Sequence, residues 1–354
     1  MQRYRHTTAV VDLDAISANV STILDAYPGY DYYVGVIKAN CYGLGMERVA
    51  PILVEAGCNY LSVSQPEEAL AARHLLPEVP IMVFVPCPTD SLDVLAENRI
   101  AVTVATLDQA EIVSQYAGLK VFIRVNGGQD LFGGPTTKKG FEEVFDQILL
   151  SPATLEGIYM HNYCPEDETL TLCEYARFEE MTAGVDLTQI PVVSTSNSLT
   201  LPRFERKPYS NACRIGNIIY GIENESLDLR TCFQLTSEIT QILRLGPGET
   251  IGYGRAHVAE AEELIGVVPI GYGDGFAKAN AGRDVFINDR RYRIATVTMD
   301  ITLVVIDSEV GRGDEVVLVR DARHLDEIAA HTHGVAEEPI CLLNQRIPRE
   351  YIDS

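Results

Sequence analysis

Positive charge is scarce in this chain. Over 354 residues, 28 Lys and Arg stand against 50 Asp and Glu, a formal net charge of −22. Only six of the basic residues are lysines. A field of that sign repels phosphate backbones and anionic membrane surfaces, which excludes nucleic acid and acidic lipid as general partners. It leaves room for an anionic ligand in a local pocket. Paired cysteines are missing as well. The eight cysteines (41, 58, 87, 164, 173, 213, 232 and 341) include no CxxC, so neither a redox pair nor a zinc ribbon is read from them, and no metal site is expected. Scattered in this way they read as reduced, mostly buried residues of a cytoplasmic protein. No apolar run reaches the length of a membrane span, and MQRYRHTTAVV lacks the pattern of a signal peptide. The sequence leaves open whether the chain is the soluble part of a longer membrane protein. No G-x-G-x-x-G follows the first strand-like run, which argues against an open dinucleotide-binding sheet.

What is present is an ordinary globular composition, 46% apolar and 22% charged, long enough for a large domain and a smaller one. Strand-like runs recur: VVDL near Val10, YVGVIK ending at Lys38, YLSVS, IMVFVP, AVTVA, KVFIRV, LEGIYMH, VVSTSN and CRIGNIIYG. Helix-like segments separate most of them, one opening at Gln65-Pro66. Apolar strands alternating with helices make a parallel sheet covered on both faces. About eight such units over roughly 220 residues predict a TIM (β/α)8 barrel over 10–235. From about residue 236 strands follow one another with turns between them (LTSEITQIL, EELIGVVPIGYG, DVFINDRRYRIA, ITLVVIDS, DEVVLVR). That predicts a smaller all-β domain over 236–354, with residues 1–9 a candidate to pair with it. The fold class is α/β plus β.

In such a barrel, chemistry gathers where the strands end. Lys38 ends the second run, and an unpaired ammonium there is costly or loses its proton easily. His161 ends another, VVSTSN delivers Ser196, Asn197 and Ser198, and the last brings Arg214, Gly216 and Asn217. An amine, an imidazole, hydroxyls, a guanidinium and small residues able to hold a phosphate suit an aldehyde cofactor with a phosphate handle, pyridoxal 5'-phosphate (PLP).

VIKANCYGLG resembles the cofactor-lysine motif of the alanine racemase family, PLP enzymes of fold type III. GYGRAHVAEAEELIGVVPIGYGDGF resembles the family's catalytic-tyrosine segment, TVTMDITLVVID its Met-Asp strand and RIPREY its tail, in matching order over nearly the whole chain. The resemblance implies that Lys38 binds the cofactor covalently and moves a proton on one face of the substrate Cα. It implies that Tyr42 and Ser198 hold the phosphate with Asn197, Gly216 and Asn217 beside them. His161 packs on the ring, and Arg214 faces the ring nitrogen and keeps it unprotonated. Tyr253 is the opposite-face acid/base, given by the second subunit of a homodimer, and Tyr272, Met299 and Asp300 lie on the substrate side. The implied reaction is racemisation of a small amino acid, alanine or a polar relative such as serine, by a Lys/Tyr pair.

Two stretches depart from the family's pattern. In IRVNGGQDLFGG, Arg124 stands where the family has a lysine, often carbamylated, and Leu131 stands where it has the arginine that binds the substrate carboxylate. Losing that arginine removes a charge-assisted contact worth ~1.5–3 kcal/mol. Arg124, Asn126, Gln129, Lys138 and Lys139 are the candidates to replace it. In LLNQRIPREY, Asn344-Gln345 replaces the family's tyrosine, which predicts a more polar pocket and a substrate such as serine. A fold type III decarboxylase, a diverged PLP-binding paralogue and a barrel aldolase are the competing readings. TMD at 298–300 lacks the cysteine that a decarboxylase usually carries.

Overall fold

The computed structural model describes residues 4–128, 133–222 and 227–353. Eight parallel strands close a barrel: β2 (Tyr32–Val36), β3 (Tyr60–Val63), β4 (Ile81–Pro86), β5 (Ala101–Val104), β6 (Lys120–Arg124), β7 (Thr154–Tyr159), β8 (Val192–Asn197) and β9 (Ala212–Ile215). Closure comes from β9 pairing with β2, Val34 opposite Arg214. Helices cover most of the outside, because nearly every crossover returns the chain to the same end through one; only the connection from β8 to β9 has none among the described residues. The helix Pro66–Leu75 begins at the Gln65-Pro66 signal.

The barrel interior is a packed plug. Val34, Tyr60, Met82, Ala101, Phe122, Tyr159, Val192 and Ala212 form a separate buried cluster within it. Tyr60–Phe122 and Phe122–Tyr159 meet edge to face at 6.0 and 6.3 Å. Tyr159 is the uppermost of these rings, anchored by its hydroxyl to the Phe84 carbonyl at 2.6 Å. It forms the floor on which polar side chains stand.

The VVDL run is not a barrel strand. It forms β1 (Thr8–Asp12), which pairs antiparallel with β10 (Phe233–Glu238) and parallel with the last strand, Arg349–Ile352. The second sheet therefore takes in residues on the barrel side of boundaries drawn at 10 and 235. VVDL is apolar enough to sit in either layer, and only its partners decide between them. LTSEITQIL, read as one strand, breaks at Ile239–Thr240 into β10 and β11 (Gln241–Leu245), which lie far apart in a nine-stranded sheet. A two-stranded hairpin, Thr250–Ile251 with His257–Val258, stands off that sheet. The tail PICLLNQRIPREY starts as the short helix Glu338–Cys341 and turns extended only at Arg349. Pro339 fits the first turn of that helix. Among the described residues no helix is long and apolar enough to cross a membrane.

Candidate active site

Lys38 does not end its strand. β2 stops at Val36, and Lys38 opens a tight turn whose next residues are left-handed: Ala39 (φ 51°), Asn40 (57°), Cys41 (54°) and Tyr42 (56°). Each non-glycine residue held there is disfavoured by roughly 1–2 kcal/mol, so other contacts must hold the turn. They are present. Ala39 N–H donates to Glu68 at 2.5 Å, and Glu68 also accepts from Ser64 N–H at 3.0 Å. Met46 N–H donates to the Asn40 side chain at 2.7 Å. From the second sheet, Arg349 Nε donates to Gly43 O at 2.9 Å and Tyr351 hydroxyl to Leu44 O at 2.9 Å. A Cβ at Gly43 would sit 2.6 Å from Ile340 O, so only glycine lets this close approach form. Both layers thus clamp the lysine turn.

Lys38, Tyr42, His161, Asn197, Ser198, Arg214, Gly216 and Asn217 all line one cavity of about 360 Å³ at the C-terminal mouth of the barrel. That is within the usual size of a cofactor or small-ligand site. Tyr42 hydroxyl lies where a Cβ on Gly216 would be, 2.6 Å away, and Gly216 N–H donates to Ser198 Oγ at 2.8 Å. A hydroxyl, a second hydroxyl and a main-chain amide bared by glycine form a cradle for a phosphate. Asn197 has a different local job: its Oδ1 accepts from Leu199 and Thr200 N–H at 3.0 and 3.1 Å and caps the turn after β8. Ser196 is not part of the cavity. Strand alternation turns it away, where Tyr30 hydroxyl donates to it at 3.2 Å.

Arg214 crosses the cavity floor. Its guanidinium donates to Ser194 Oγ at 2.6 Å, to Met160 O at 2.8 Å and towards His161 Nδ1 at 3.4 Å, and it stands 5.3 Å above the Tyr159 ring. Burial, and then Arg124 among its charged neighbours, pulls its pKa down to about 10, which leaves it charged at neutral pH. Arg124, 1% exposed, lies over the same ring at 5.6 Å and lines the cavity. His161 faces the open cavity, but enclosing protein, then Arg214, Arg124 and Lys38, push its pKa down to about 3. Water in the cavity screens part of that, and the direction stands: the ring is neutral and accepts from Arg214. A guanidinium offers donors only, so what it meets in the cavity must accept. The donor set and the Gly216 cradle fit PLP.

The residues singled out on the second sheet do not join this cavity. Tyr253 is 86% exposed at the tip of the hairpin, between Gly252 and Gly254, both at positive φ. His257 on its return strand is bonded to Glu263 at 2.5 Å. Tyr272 and Met299 are also exposed, and Asp300 pairs with Arg346 at 2.8 Å on the surface. Buried Asp274 holds this corner together with Arg5 at 2.9 Å and Arg346 at 3.2 Å. Asn344 donates to Gly273 O at 2.8 Å, and Gln345 lies in an open groove beside Ala39 and Gly43 instead of in the Lys38 cavity. The expectation that Asn344-Gln345 makes the cavity polar is therefore not met within one chain.

Leu131 and Gln129 lie outside the described residues. Lys138 and Lys139 start a surface helix and pair with Glu142 and Glu143 at 3.8 and 3.6 Å, away from the cavity. Asn126 N–H and side chain are used locally, the side chain accepting from Gly128 N–H at 2.8 Å. Of the carboxylate-binding candidates among the described residues, only Arg124 reaches the cavity. Further lining residues were not foreseen, among them Phe84, Asn162 and Glu337. Phe84 lies two residues before the end of β4, as Lys38 lies two residues past the end of β2, so a rule that looks near strand ends finds both. Glu337 comes from the second layer and carries no motif.

The family model for the N-terminal domain of alanine racemase matches residues 11–224, and that for its C-terminal domain matches 232–351. An alanine racemase from Anoxybacillus flavithermus is 31% identical over 99% of this chain and 95% of its own length. One from Geobacillus kaustophilus is 30% identical over 98% and 94%. The crystal structure of alanine racemase from E. faecalis superposes with a TM-score of 0.92 at 30% identity, covering 98% of each chain. That from Bacillus anthracis, solved with bound L-Ala-P, gives 0.92 at 28% identity over 100% and 97%. With both domains matched in order over a barrel and sheet of the same architecture, the chain belongs to the alanine racemase family, whose members depend on PLP.

Proposed function

We propose that this protein is a PLP-dependent amino-acid racemase that acts on a small amino acid, working as a homodimer in the cytoplasm. The observation that carries the reading is the convergence of Lys38, the Gly216 cradle and the Arg214–His161 pair on one cavity. PLP, when bound, supplies an electron-withdrawing ring that acidifies the Cα–H of an amino acid joined to it. Tyr42 and Ser198 hydroxyls and the Gly216 amide hold its phosphate. Arg214, a permanent donor, keeps the ring nitrogen unprotonated, which limits electron withdrawal and disfavours amino-group transfer. Neutral His161 packs beside the ring and keeps Arg214 in place.

The Lys38 amine moves the proton on one face of Cα. The other face needs a second group, and Tyr253 of the partner subunit is the one this reading assigns. A tyrosine 86% exposed on a glycine-flanked, clamped hairpin is built to be presented outward. Arg124 gives the cavity a fixed positive charge for the substrate carboxylate in place of the missing arginine. The eight free cysteines fit a reducing compartment. Purified holoenzyme incubated with L-alanine and with L-serine should yield both enantiomers of at least one, read by chiral chromatography. Release of carbon dioxide with no enantiomer formed would sink the racemase reading in favour of a decarboxylase. Exclusive use of alanine would remove serine and other polar relatives from the substrates of this reading.

A further inference from the structure

Glu337 is the single acidic side chain among the described residues lining the Lys38 cavity. The other charged groups on its walls are Lys38, Arg124 and Arg214, all basic. Its Oε2 is buried and has no hydrogen-bond partner among the described residues. Elsewhere in the protein the buried acid Asp274 is satisfied by two arginines and the Gly271 amide. A buried carboxylate oxygen with no donor is unfavourable, so the donor must arrive with what fills the cavity.

The backbone around Glu337 is fixed. Cys341 N–H donates to Glu337 O at 3.0 Å, and Ile340 O presses on Gly43 of the lysine turn. Glu337 is therefore held against the segment that carries Lys38 and is not a swinging surface acid. The cofactor's phosphate and the substrate's carboxylate are acceptors and cannot serve it. The substrate's amino group is taken up in its link to the cofactor. On the amino acid itself, the group left to donate is its side chain.

We propose that Glu337 is the specificity-determining residue of this site, accepting a hydrogen bond from a hydroxyl on the amino-acid side chain. The site thus favours a short hydroxy amino acid such as serine over alanine. This rests on the racemase reading above. A long cationic side chain is disfavoured because it must enter past Lys38, Arg124 and Arg214, in a cavity already shared with the cofactor. A site built to meet a substrate hydroxyl discriminates strongly against the analogue that lacks it, because its own polar group is then left unpaired.

The test compares wild type, Glu337→Gln and Glu337→Ala as holoenzymes. The ratio of kcat/KM for L-serine to that for L-alanine should fall about tenfold or more in Glu337→Ala and less in Glu337→Gln, which keeps an acceptor oxygen and the same shape. A second arm needs no turnover: calorimetric titration with the aminophosphonate analogues of serine and alanine, whose binding ratio should fall in parallel. An unchanged ratio in both variants overturns the proposal, as does a wild type that prefers 2,3-diaminopropionate to serine. Wild type that binds neither phosphonate overturns the racemase reading itself, an outcome distinct from bound ligands with an unchanged ratio.

Discussion

The two halves of the site are built in opposite ways. On the barrel, the side chains singled out point inward and meet: eight of them line one cavity, and Arg214 is tied to three neighbours. On the second sheet, Tyr253, Tyr272 and Met299 point outward, all exposed. The barrel half is fixed by burial, since most polar groups there find a partner inside the chain. The outward half is held by local devices, the His257–Glu263 bond and the Asp274 arginine cluster, that stiffen loops without covering them. A rigid, uncovered tyrosine gains nothing for its own chain. On the reading proposed above, one chain carries a complete cofactor cavity and a reactive group meant for another.

The sharpest way to break this comparison is to empty the barrel half. Lys38→Ala should bring racemisation below detection and abolish the visible absorbance of lysine-bound cofactor. Retained absorbance with normal turnover would show that another amine holds PLP. Tyr253→Phe should leave the absorbance and lower racemisation by about 10²–10⁴-fold, the usual value of one positioned proton carrier. Mixing the two dead variants then asks whether the halves belong to different subunits. If they do, each hybrid dimer regains one intact site, and a random mixture recovers about a quarter of wild-type activity, as two-fold symmetry requires. No recovery after verified subunit exchange would place both groups in the same chain's site.

A smaller effect is expected at Arg124. Arg124→Leu should raise KM about 10–100-fold for the amino acid, consistent with loss of a charge-assisted carboxylate contact, while leaving the cofactor absorbance. A change in kcat alone would mean that Arg124 only supports Arg214 through the shared Tyr159 ring.

Much of the barrel half was legible in the sequence because its rule is positional: strand ends at one mouth of the barrel. Lys38, His161 and Arg214 follow from it, and so would Phe84. The left-handed turn at 39–42 was not legible, since nothing in ANCY favours positive φ; the clamps that hold it come from Glu68, Arg349 and Tyr351, far along the chain. VVDL was misplaced because a short apolar run fits either layer. Glu337 was invisible for a related reason. Its position depends on how the second sheet docks on the barrel, which no local pattern records. The family resemblance, carried by order and spacing over the whole chain, supplied what burial arguments could not: the pairing of Lys38 with an exposed tyrosine more than two hundred residues away.

The mildest test compares a histidine from each half. His161 in the cavity is pushed down to about 3, and His324 of the second layer, by burial and then Arg283, to about 4, both from an ordinary 6.5. A histidine with a lowered folded-state pKa stays neutral in the fold and takes up a proton on unfolding. Its contribution is whole above pH 6.5 and is lost as the pH falls towards the lowered value. His324 is 3% exposed and packs edge-on to Phe286 at 5.0 Å, so solvent softens its shift less. His161 borders an open cavity in the cofactor-free protein, where solvent screens the cations around it. Denaturant midpoints followed from pH 7 to pH 4 on cofactor-free protein should therefore fall less steeply in His324→Gln than in wild type, with a weaker change in His161→Gln. Cofactor that fills the cavity removes the screening water, and the two slopes should then converge. A steeper fall in either variant would contradict the sign, and equal slopes without cofactor would mean that the cavity mouth is as dry as the core of the second sheet.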